Sequence, residues 1–512
     1  MKILSANQLR TIDRSSGDTL TLMENAGTRV FETIEDRFEN LDDLQVYILC
    51  GKGNNGGDGL VIARLLIERG CTPHVFLFAH EQDISPDAAT NLGRLKALGE
   101  PPTIVLDEAQ WAEFGCEEET ALVVDALLGT GLTRPVEGFY RAVIESLPEC
   151  FPDATVLAVD IPSGLSADSG ESIGCAVQAD LTVTFTALKH CLVFPPAHKC
   201  AGDVIVADIG NLPELVLAPE HYLNLITPDL FPEVLHRRRE DTHKGDYGKV
   251  LIVAGSRGKS GAAAMAGQAA LRSGAGLVTV ATPLSCVPIV AASMPELMTE
   301  PLDETPAGTI ANASITKLLE GKTILGIGPG LGVDPQTQAL VRMTLLEATV
   351  PVVVDADGLN AFAAHAQELR GSGQSFVVIT PHPGEMARLI ERDTHYVNGN
   401  RIDVARDFAV RQQIYVVLKG FRTVVATPEG QVFINSTGNP GMATGGIGDI
   451  LTGMLTGILA QQNLGSFTER VLFAVYLHGL AGDLGAEEVG EESLVATDLF
   501  YYIGQAWEQI RE

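Results

Sequence analysis

The chain has 512 residues, more than one hydrophobic core normally holds, so we expect at least two domains. Hydrophobic residues make up 46% and charged residues 20%, a composition of globular and not of disordered proteins. The formal net charge of -30 argues against nucleic acid or an anionic membrane as a main partner, because either would need a basic surface. No stretch approaches the roughly 20 apolar residues of a membrane span. We expect a cytoplasmic protein with reduced cysteines, which also forms a homo-oligomer.

Short apolar runs rich in β-branched residues recur along the chain and often end in glycine or aspartate. In the first part they lie at residues 46–49, 75–78, 122–124, 156–159 and 204–206. Helix-like segments lie between several of them, an alternation that predicts a parallel sheet covered by helices. A second series lies at residues 250–253, 277–280, 323–325, 352–354, 377–379 and 415–418. We predict two α/β domains, residues 1–215 and 216–512, with a proline-containing boundary near 212–235.

A glycine-rich loop follows the first predicted strand. Gly51, Gly53 and Gly56 satisfy G-x-G-x-x-G between a strand and a helix, the setting in which this pattern binds a dinucleotide. The pattern alone is weak. Its specificity increases because the loop also supplies side-chain oxygens and amides, from Asn54, Asn55 and Asp58.

Polar clusters end later strands of the first part. Asp125 and Asp160 each close an apolar strand, and open α/β sheets bind ligands at the carboxyl ends of their strands. Ser163 and Lys189 lie at the same predicted edge. Asn55, Asp125 and Ser163 offer only hard oxygen ligands, so they suit an alkali or alkaline-earth ion better than zinc. Any single cluster has an alternative interpretation as a helix cap or a turn.

These motifs resemble the NAD(P)HX epimerase family, also called the YjeF N-terminal domain, over residues 1–215. The strings that carry the resemblance are G-x-G-N-N-G-G-D-G, D-A-L-x-G-x-G and D-I-P-S-G, with L-M-E-N-A-G at residues 22–27. The resemblance implies a Rossmann-like α/β/α sandwich that interconverts the R and S forms of hydrated NADH or NADPH. It implies K⁺ binding by Asn55, Asp125 and Ser163, and proton transfer at the nicotinamide by Asp160. It implies dinucleotide contacts by Asn54, Asn55, Gly56, Gly57, Asp58, Gly129, Thr130, Gly131, Leu132, Thr133, Arg134, Pro135 and Asp160.

A second glycine-rich segment, G-M-A-T-G-G-I-G-D at residues 441–449, precedes apolar residues at helical spacing. Backbone N–H groups at a helix N-terminus bind anions, so this segment is a candidate phosphate site. Asp449 lies where a phosphate would lie and would repel it, so we interpret its carboxylate as a base. Together these features predict phosphoryl transfer from a nucleotide to a hydroxyl.

Polar motifs also end strands of the second part. Asp355 opens D-A-D-G-L-N, His382 lies in T-P-H-P-G-E, and Lys419 follows the run at 415–418. A histidine such as His382 is more often structural, but its place beside Glu385 at a sheet end favours a role in binding. A lysine followed by glycine at a sheet end is a reasonable phosphate ligand.

Residues 225–512 resemble the ribokinase-like superfamily and, within it, the NAD(P)HX dehydratase family, or YjeF C-terminal domain. The T-P-H-P-G-E, D-A-D-G-L-N and N-P-G-M-A-T-G-G-x-G-D strings carry this resemblance. It implies a ribokinase-like α/β/α domain in which Asp449 deprotonates the C6 hydroxyl of the S epimer. The hydroxyl would attack the terminal phosphate of ADP or ATP, with Mg²⁺ inferred from the nucleotide chemistry. Gly330 and His382 would contact the hydrated cofactor. The adenine nucleotide would contact Lys419, Gly420, Phe421, Arg422, Thr423 and Gly448.

Two residues depart from the family pattern. Ile447 stands where Thr or Ser is more common, which removes a hydroxyl near the phosphates, and Phe421 replaces a usually small residue, which bears on nucleotide preference. Two alternatives remain open. One is a ribokinase-like kinase for a vitamin precursor, with the first part as a regulatory nucleotide-binding module. The other gives the first part a scaffold role without catalysis.

Overall fold

The computed structural model describes residues 1–38, 40–114, 120–171, 173–311, 314–370 and 375–511. The chain divides into two compact units, Met1–His221 and Tyr222–Glu512, so the predicted boundary at 215/216 lies just before this division. Across those ranges, no helix combines the length and apolar character needed to cross a membrane. The cysteines within them are all free thiols, and Cys116 lies outside the described residues.

Unit 1 is built on a parallel sheet. Its strands are β1 (Val46–Cys50), β2 (His74–Leu77), β3 (Thr103–Ile104), β4 (Leu122–Ala126), β5 (Thr155–Val159), β6 (Leu181–Phe185) and β7 (Asp203–Ala207). Their order is β3-β2-β1-β4-β5-β6-β7, which reverses direction between β1 and β4, as in doubly wound dinucleotide-binding sheets. The helices are α1 (Ala6–Ser16), α2 (Thr19–Arg37), α3 (Asn54–Glu68), α4 (Pro86–Ala97), α5 (Glu108–Glu113), α6 (Gly138–Cys150), α7 (His190–Val193) and α8 (Pro213–Val216).

The core of unit 1 lies on both faces of this sheet. β1 and β4 are buried at every residue, which is expected of parallel strands covered on both sides. On one face, α2 and α3 contribute Val30, Ile34 and Leu66 to a largely aliphatic cluster. On the other face, an aromatic cluster includes Trp111 and Phe151. The predicted α/β sandwich is therefore confirmed for this unit.

Unit 2 is built on a larger sheet. Its strands are β8 (Leu223–Leu225), β9 (Lys249–Val253), β10 (Leu277–Pro283), β11 (Met298–Leu302), β12 (Ile324–Ile327), β13 (Val352–Val354), β14 (Val377–Ile379), β15 (Tyr415–Leu418), β16 (Val424–Ala426) and β17 (Val432–Ile434). Their order is β11-β10-β9-β12-β13-β14-β15-β16-β17-β8. The helices are α9 (Ser260–Arg272), α10 (Val287–Ser293), α11 (Pro335–Glu347), α12 (Asp357–Asn360), α13 (Pro383–Leu389), α14 (Thr394–Gly399), α15 (Arg401–Gln412), α16 (Ile447–Leu459), α17 (Phe467–Val489) and α18 (Leu499–Arg511).

The sheet of unit 2 is parallel from β11 to β15, as predicted, but it continues beyond β15 in a way that the sequence did not indicate. β16 pairs antiparallel with β15 and with β17. β8 lies within the segment predicted as a boundary, and it pairs in parallel with β17 at the edge of the sheet. These strands have three residues each, too few to carry a clear periodicity.

The helix predicted after the glycine-rich segment is α16, and its predicted apolar residues are buried. α16 begins after Gly446, which has a φ of 95° that favours glycine. It packs closely on α9 because a Cβ at Gly453 would lie 2.2 Å from the carbonyl oxygen of Ala266. At Gly457 the corresponding distance to the carbonyl oxygen of Ala270 is 2.4 Å. The two helices therefore meet backbone against backbone.

Candidate active sites

A cleft of about 530 Å³ opens in unit 1 beyond the carboxyl ends of β1 and β4, where the strand order reverses. The loop after β1 approaches its neighbours closely. A Cβ at Gly51 would lie 1.8 Å from the carbonyl oxygen of Leu127, and one at Gly56 would lie 1.9 Å from that of Gly51. α3 begins here without a side-chain cap from the described residues. Its first N–H groups therefore remain available to an anion.

An ion pair lies at the inner end of this cleft. Asp160 follows β5 with a φ of 69°, and Lys189 Nζ lies 2.5 Å from its Oδ1. The same ammonium group donates hydrogen bonds to Thr184 Oγ1 at 2.8 Å and to the Phe185 carbonyl oxygen at 2.9 Å. The Lys189 side chain is only 1% exposed. Lys189 therefore balances the charge of a carboxylate that faces the cleft.

A second buried carboxylate lies beside the glycine loop. Ser163 donates to Asp125 twice, from Oγ to Oδ1 at 2.6 Å and from N–H to Oδ2 at 2.8 Å. Burial raises the pKa of Asp125 to about 6, although the Ser163 hydrogen bonds act in the opposite direction. No cationic side chain in the described ranges pairs with Asp125. The buried Nδ2 of Asn55 has no hydrogen-bond partner there either.

The cleft brings together most residues predicted for the first site. Those that line it are Asn54, Asn55, Asp58, Gly129, Thr130, Gly131, Leu132 and Asp160. Gly56 and Gly57 are buried within α3, and the following residues are exposed beyond the lining segment: Thr133, Arg134 and Pro135. Burial raises the pKa of Asp58 well above its usual value, and the charge of Asp160 adds to this shift.

Helix α1 contributes cleft residues that sequence reasoning missed, Arg10, Asp13 and Arg14. Their spacing places them on one side of a helix. That spacing was the only signal, and it is equally typical of a solvated helix surface. The sequence places Lys189 at the predicted sheet edge, but its contact with Asp160 cannot be derived from sequence.

In unit 2, polar side chains gather at the carboxyl ends of β13, β14 and β15. Lys419 Nζ lies 2.8 Å from Asp355 Oδ1 and 4.0 Å from Glu385 Oε2. Thr452 of α16 donates a 2.8 Å hydrogen bond to Asp355 Oδ2. Burial lowers the pKa of Lys419, but the carboxylates of Asp355 and Glu385 outweigh it and raise the pKa above its usual value. Lys419 is therefore a fixed cation.

Asp449 lies in the first turn of α16. Burial raises its pKa to about 6, repulsion by Asp355 and Asp357 adds to the shift, and the cations of Lys419 and Lys259 oppose it. Lys259 Nζ in turn lies 3.0 Å from Asp357 Oδ2. A carboxyl group with this pKa can accept a proton near neutral pH.

His382 caps a helix, and its imidazole is also exposed to solvent. Its Nδ1 accepts hydrogen bonds from the N–H groups of Gly384 at 3.0 Å and Glu385 at 3.3 Å, which caps α13. Glu385 returns the contact, since its Oε2 accepts from the N–H of His382 at 2.8 Å. The imidazole is nevertheless 51% exposed. The cap fixes a ring that can still touch a ligand.

A second cleft, of about 590 Å³, lies beside the start of α16. The predicted residues that line it are His382, Lys419, Gly420, Phe421, Arg422, Thr423 and Gly448. Ile447 also lines it, and Phe421 is half exposed at its side. Gly330 and Asp449 are not among the described residues that line this space. The carbonyl oxygen of Gly330 instead accepts a 2.7 Å hydrogen bond from Ser256 Oγ. Ser256 lies in the same loop as Lys259.

Sequence reasoning missed His478 of α17, which lines the second cleft. Its Nε2 lies 3.1 Å from the carbonyl oxygen of Ile447. Burial lowers the pKa of His478 to about 4, so the ring is neutral at physiological pH and can donate to that oxygen. The contact helps to hold the first turn of α16. Asn435, Thr437 and Asn439 line the same space.

Both units match known protein families. The model of the YjeF-related protein N-terminus matches residues 19–191, and that of NAD(P)H-hydrate dehydratase matches residues 250–505. The bifunctional NAD(P)H-hydrate repair enzyme Nnr of Moorella thermoacetica is 42% identical over 523 residues, which cover 100% of this chain and 98% of that protein. Similarity to a bifunctional repair enzyme over the full length does not favour the alternative of a kinase for a vitamin precursor.

Solved structures resemble unit 2. A ribokinase-like superfamily protein from Enterococcus faecalis is 29% identical with a TM-score of 0.50, over 57% of this chain and 97% of that one. An ADP/ATP-dependent NAD(P)H-hydrate dehydratase from Bacillus subtilis, co-crystallized with ATP/Mg²⁺, is 31% identical with a TM-score of 0.48, over 56% of this chain and 98% of that one. The Enterococcus structure confirms the predicted ribokinase-like fold of this unit. The full-length match establishes that the chain belongs to the family of bifunctional NAD(P)H-hydrate repair enzymes.

Proposed function

We propose that this protein restores hydrated NADH and NADPH in two steps. Unit 1 interconverts the R and S epimers, and unit 2 dehydrates the S epimer at the expense of ADP or ATP. One observation carries the proposal: each unit places proton-transfer groups beside the anion-binding backbone at the start of a helix. In unit 1, Asp160 and Lys189 lie in the same cleft as the N-terminus of α3. In unit 2, Asp449 and Lys419 lie at the N-terminus of α16.

In the dehydratase step, Asp449 accepts the proton of the C6 hydroxyl, and the oxygen attacks the terminal phosphorus of the nucleotide. The bond between that phosphorus and the leaving AMP or ADP oxygen breaks as the new P–O bond forms. The C6–O bond then breaks, the lone pair of the ring nitrogen expels phosphate, and loss of a proton from C5 restores the dihydronicotinamide. A pKa of Asp449 of about 6 supports its role as the base.

The nucleotide contacts that we propose follow the lining of the second cleft. Lys419 attracts the transferred phosphate, and the N–H groups of Ile447 and Gly448 supply anion-binding donors at the start of α16. The backbone N–H of Ile447 is independent of its side chain, so the missing hydroxyl leaves this donor in place. Gly420, Phe421, Arg422 and Thr423 follow Lys419 along the same wall. Gly330 and His382 remain our candidates for contacts with the hydrated cofactor.

Mg²⁺ is proposed to enter with the nucleotide. The described residues include no group of three or more histidine, cysteine or acidic side chains that would hold a metal by itself. Phosphate oxygens are the usual Mg²⁺ ligands in such sites, with few protein carboxylates. When bound, Mg²⁺ would neutralise phosphate charge. The residues of this chain would orient the nucleotide and move the proton.

In unit 1, we propose that Asp160 moves protons at nicotinamide C6 and that Asn55, Asp125 and Ser163 hold K⁺. The buried carboxylate of Asp125, which has no cationic partner among the described residues, supports a cation there. So does the unpartnered amide of Asn55, because an asparagine amide turned by half a rotation offers its oxygen instead. K⁺ would supply a compensating charge beside the glycine loop. The predicted dinucleotide contacts, residues 54–58 and 129–135, remain part of this proposal.

We also propose that the protein acts in the cytoplasm and forms a homo-oligomer. The free cysteines of the described chain are consistent with a reducing compartment. Exposed apolar side chains such as Leu346 and Tyr501 provide surface for self-association. Size-exclusion chromatography with light scattering measures the oligomeric state directly.

The proposal is tested by adding enzyme, Mg²⁺ and either ADP or ATP to a mixture of R and S hydrated NADH, and following the absorbance of reduced nicotinamide. We expect full recovery of NADH from both epimers, and the faster nucleotide identifies the donor. Recovery that stops at the S fraction would contradict the role of unit 1. No recovery with either nucleotide would contradict the whole proposal.

A further inference from the structure

Asp13 of α1 lines the same cleft as Asp160. Its Oδ1 accepts a 3.0 Å hydrogen bond from Nδ2 of Asn211. The Oδ1 of Asn211 in turn accepts a 2.5 Å hydrogen bond from Thr186 Oγ1, which fixes which end of the Asn211 amide faces Asp13. In the described part of the chain, no hydrogen bond or ion pair occupies Oδ2 of Asp13. One oxygen of this carboxyl group is held, and the other is available to a ligand.

The two carboxyl groups have opposite environments. Burial raises the pKa of Asp13, and repulsion by Asp160 adds to the shift, while Asn211 and Lys189 act against it. Asp160 instead has the ammonium group of Lys189 at 2.5 Å. The other charged side chains that line the cleft are Arg10, Arg14, Lys52 and Asp58. Two carboxyl groups in one cleft, one whose pKa is raised by burial and one paired with a cation, form an arrangement suited to acid and base roles.

We propose that Asp13 is a second catalytic residue of unit 1, which exchanges protons with the C6 hydroxyl while Asp160 serves the opposite face of the ring. This inference rests on the proposed epimerase function. As the C6–O bond breaks, its electron pair leaves with the hydroxyl, and the lone pair of the ring nitrogen forms a C=N bond. The hydroxyl takes the proton of Asp13 and departs as water.

In the return step, water adds to the other face of the ring. A water attacks C6 from the face of Asp160, a new C6–O bond forms, and the C=N electrons return to the ring nitrogen. The proton released by this water goes to Asp160. Exchange with solvent restores the proton to Asp13 and removes it from Asp160. In the opposite direction the two residues exchange roles.

The isosteric variant Asp13→Asn separates this role from a structural one. Its side-chain oxygen can still accept the hydrogen bond of Asn211, but it has no carboxyl proton to give. The matched control is Asp36→Asn, which removes one carboxylate from an exposed position of α2 outside the cleft. Epimerisation is measured on purified R epimer without nucleotide, by chromatographic separation of the epimers, so that unit 2 does not turn over.

We expect Asp13→Asn to lower kcat for epimerisation by about 10²–10⁴-fold, the range for removal of a general acid or base. KM should change little, and Asp36→Asn should behave as the unaltered enzyme. Dehydration of the purified S epimer should remain unchanged in both variants. An Asp13→Asn enzyme that epimerises within about threefold of the unaltered rate overturns the role of Asp13, since a general-acid effect is far larger. An unaltered enzyme that does not epimerise refutes the proposed function itself.

The pH profile provides a readout that a structural role would not move. In the unaltered enzyme, kcat for the epimer whose hydroxyl faces Asp13 should fall as pH rises through the pKa of Asp13, because the acid then loses its proton. This fall should be absent in Asp13→Asn. A second variant, Asn211→Ala, removes the hydrogen bond that lowers this pKa, so the fall should move to higher pH. A high-pH limb that stays in place in both variants overturns the proposal.

Discussion

The ammonium group of Lys419 lies 2.8 Å from the carboxylate of Asp355, although β14 separates the two strands that precede these residues. The other oxygen of that carboxylate accepts a hydrogen bond from Thr452 of α16. The proposed phosphate-binding cation at the sheet edge is thereby linked to the helix that carries Asp449. The position of the proposed base relative to the proposed phosphate site is fixed by these two contacts.

Replacement of the proposed base should separate the two activities. We expect Asp449→Asn to lower kcat for dehydration by at least about 10²-fold, because the amide cannot accept the hydroxyl proton. Epimerisation should persist, since Asp449 belongs to unit 2. Both rates are measured on purified epimers. The control Asp407→Asn, at an exposed position of α15, should retain both activities. Loss of both activities in a folded Asp449→Asn protein would contradict the division of labour.

The pH dependence of dehydration should follow the ionisation of Asp449. kcat/KM should rise with pH through about 6, because only the ionised carboxylate accepts a proton. The ammonium group of Lys259 lowers this pKa, so Lys259→Met should move the rise to higher pH. The exposed Lys317→Met serves as the control and should leave the profile in place. A Lys259→Met profile that is unchanged or shifted to lower pH would show that Asp449 is not the titrating group.

Removal of K⁺ should slow epimerisation and leave dehydration unchanged. Replacing K⁺ by tetramethylammonium should slow epimerisation, because that ion is too large for a site formed by Asn55, Asp125 and Ser163. Ser163→Ala removes one proposed oxygen ligand, and we expect about tenfold more K⁺ for half-maximal activation, which corresponds to about 1.4 kcal/mol. Dehydration of the S epimer is the internal control. Epimerisation that proceeds equally fast without alkali cation would exclude the proposed site.

The loop after β1 should tolerate a methyl group at one glycine and not at another. Gly51→Ala places its Cβ 1.8 Å from the carbonyl oxygen of Leu127, whereas a Cβ at Gly53 has nothing within 4 Å. We expect Gly51→Ala to lower the free energy of unfolding of unit 1 by about 1–3 kcal/mol. Gly53→Ala should change it by less than about 0.5 kcal/mol.

The measurement uses urea unfolding followed by tryptophan fluorescence in a Trp507→Phe background. Trp507 Nε1 has no hydrogen-bond partner in the described chain, so this background change is mild. Fluorescence then reports on Trp111, which lies in the aromatic cluster of unit 1. Equal unfolding midpoints for the two glycine variants would contradict the close approach of Gly51 to Leu127.

Much of the architecture was predictable from the sequence because buried parallel strands are short apolar runs. The strands before Asp160, Asp355 and Lys419 were all predicted from such runs, and the polar residues that follow them lie at the predicted sheet edges. Parallel pairing then places the carboxyl ends of neighbouring strands together. Local pattern and topology therefore sufficed to group these residues.

Other features depend on contacts between distant segments, which periodicity does not encode. Asp13 lies on a helix whose polar spacing is ordinary, and it reaches the cleft only through the packing of α1. The contact of Thr452 with Asp355 joins residues 97 positions apart. The antiparallel strands β16 and β17 were missed because three residues carry too little pattern. His478 was missed because buried histidines are common in helices.

The glycines at positions 453 and 457 limit how this enzyme can change through evolution. α16 rests against the backbone of α9 at both positions, so even an alanine there would have to push the helix away. Asp449 would move with it. Substitutions at these two positions of α16 are therefore disfavoured. The half-exposed Phe421, in contrast, can be replaced without moving Asp449. Changes in nucleotide preference should therefore arise at residues 420–423, which follow Lys419 along the cleft, and not in α16.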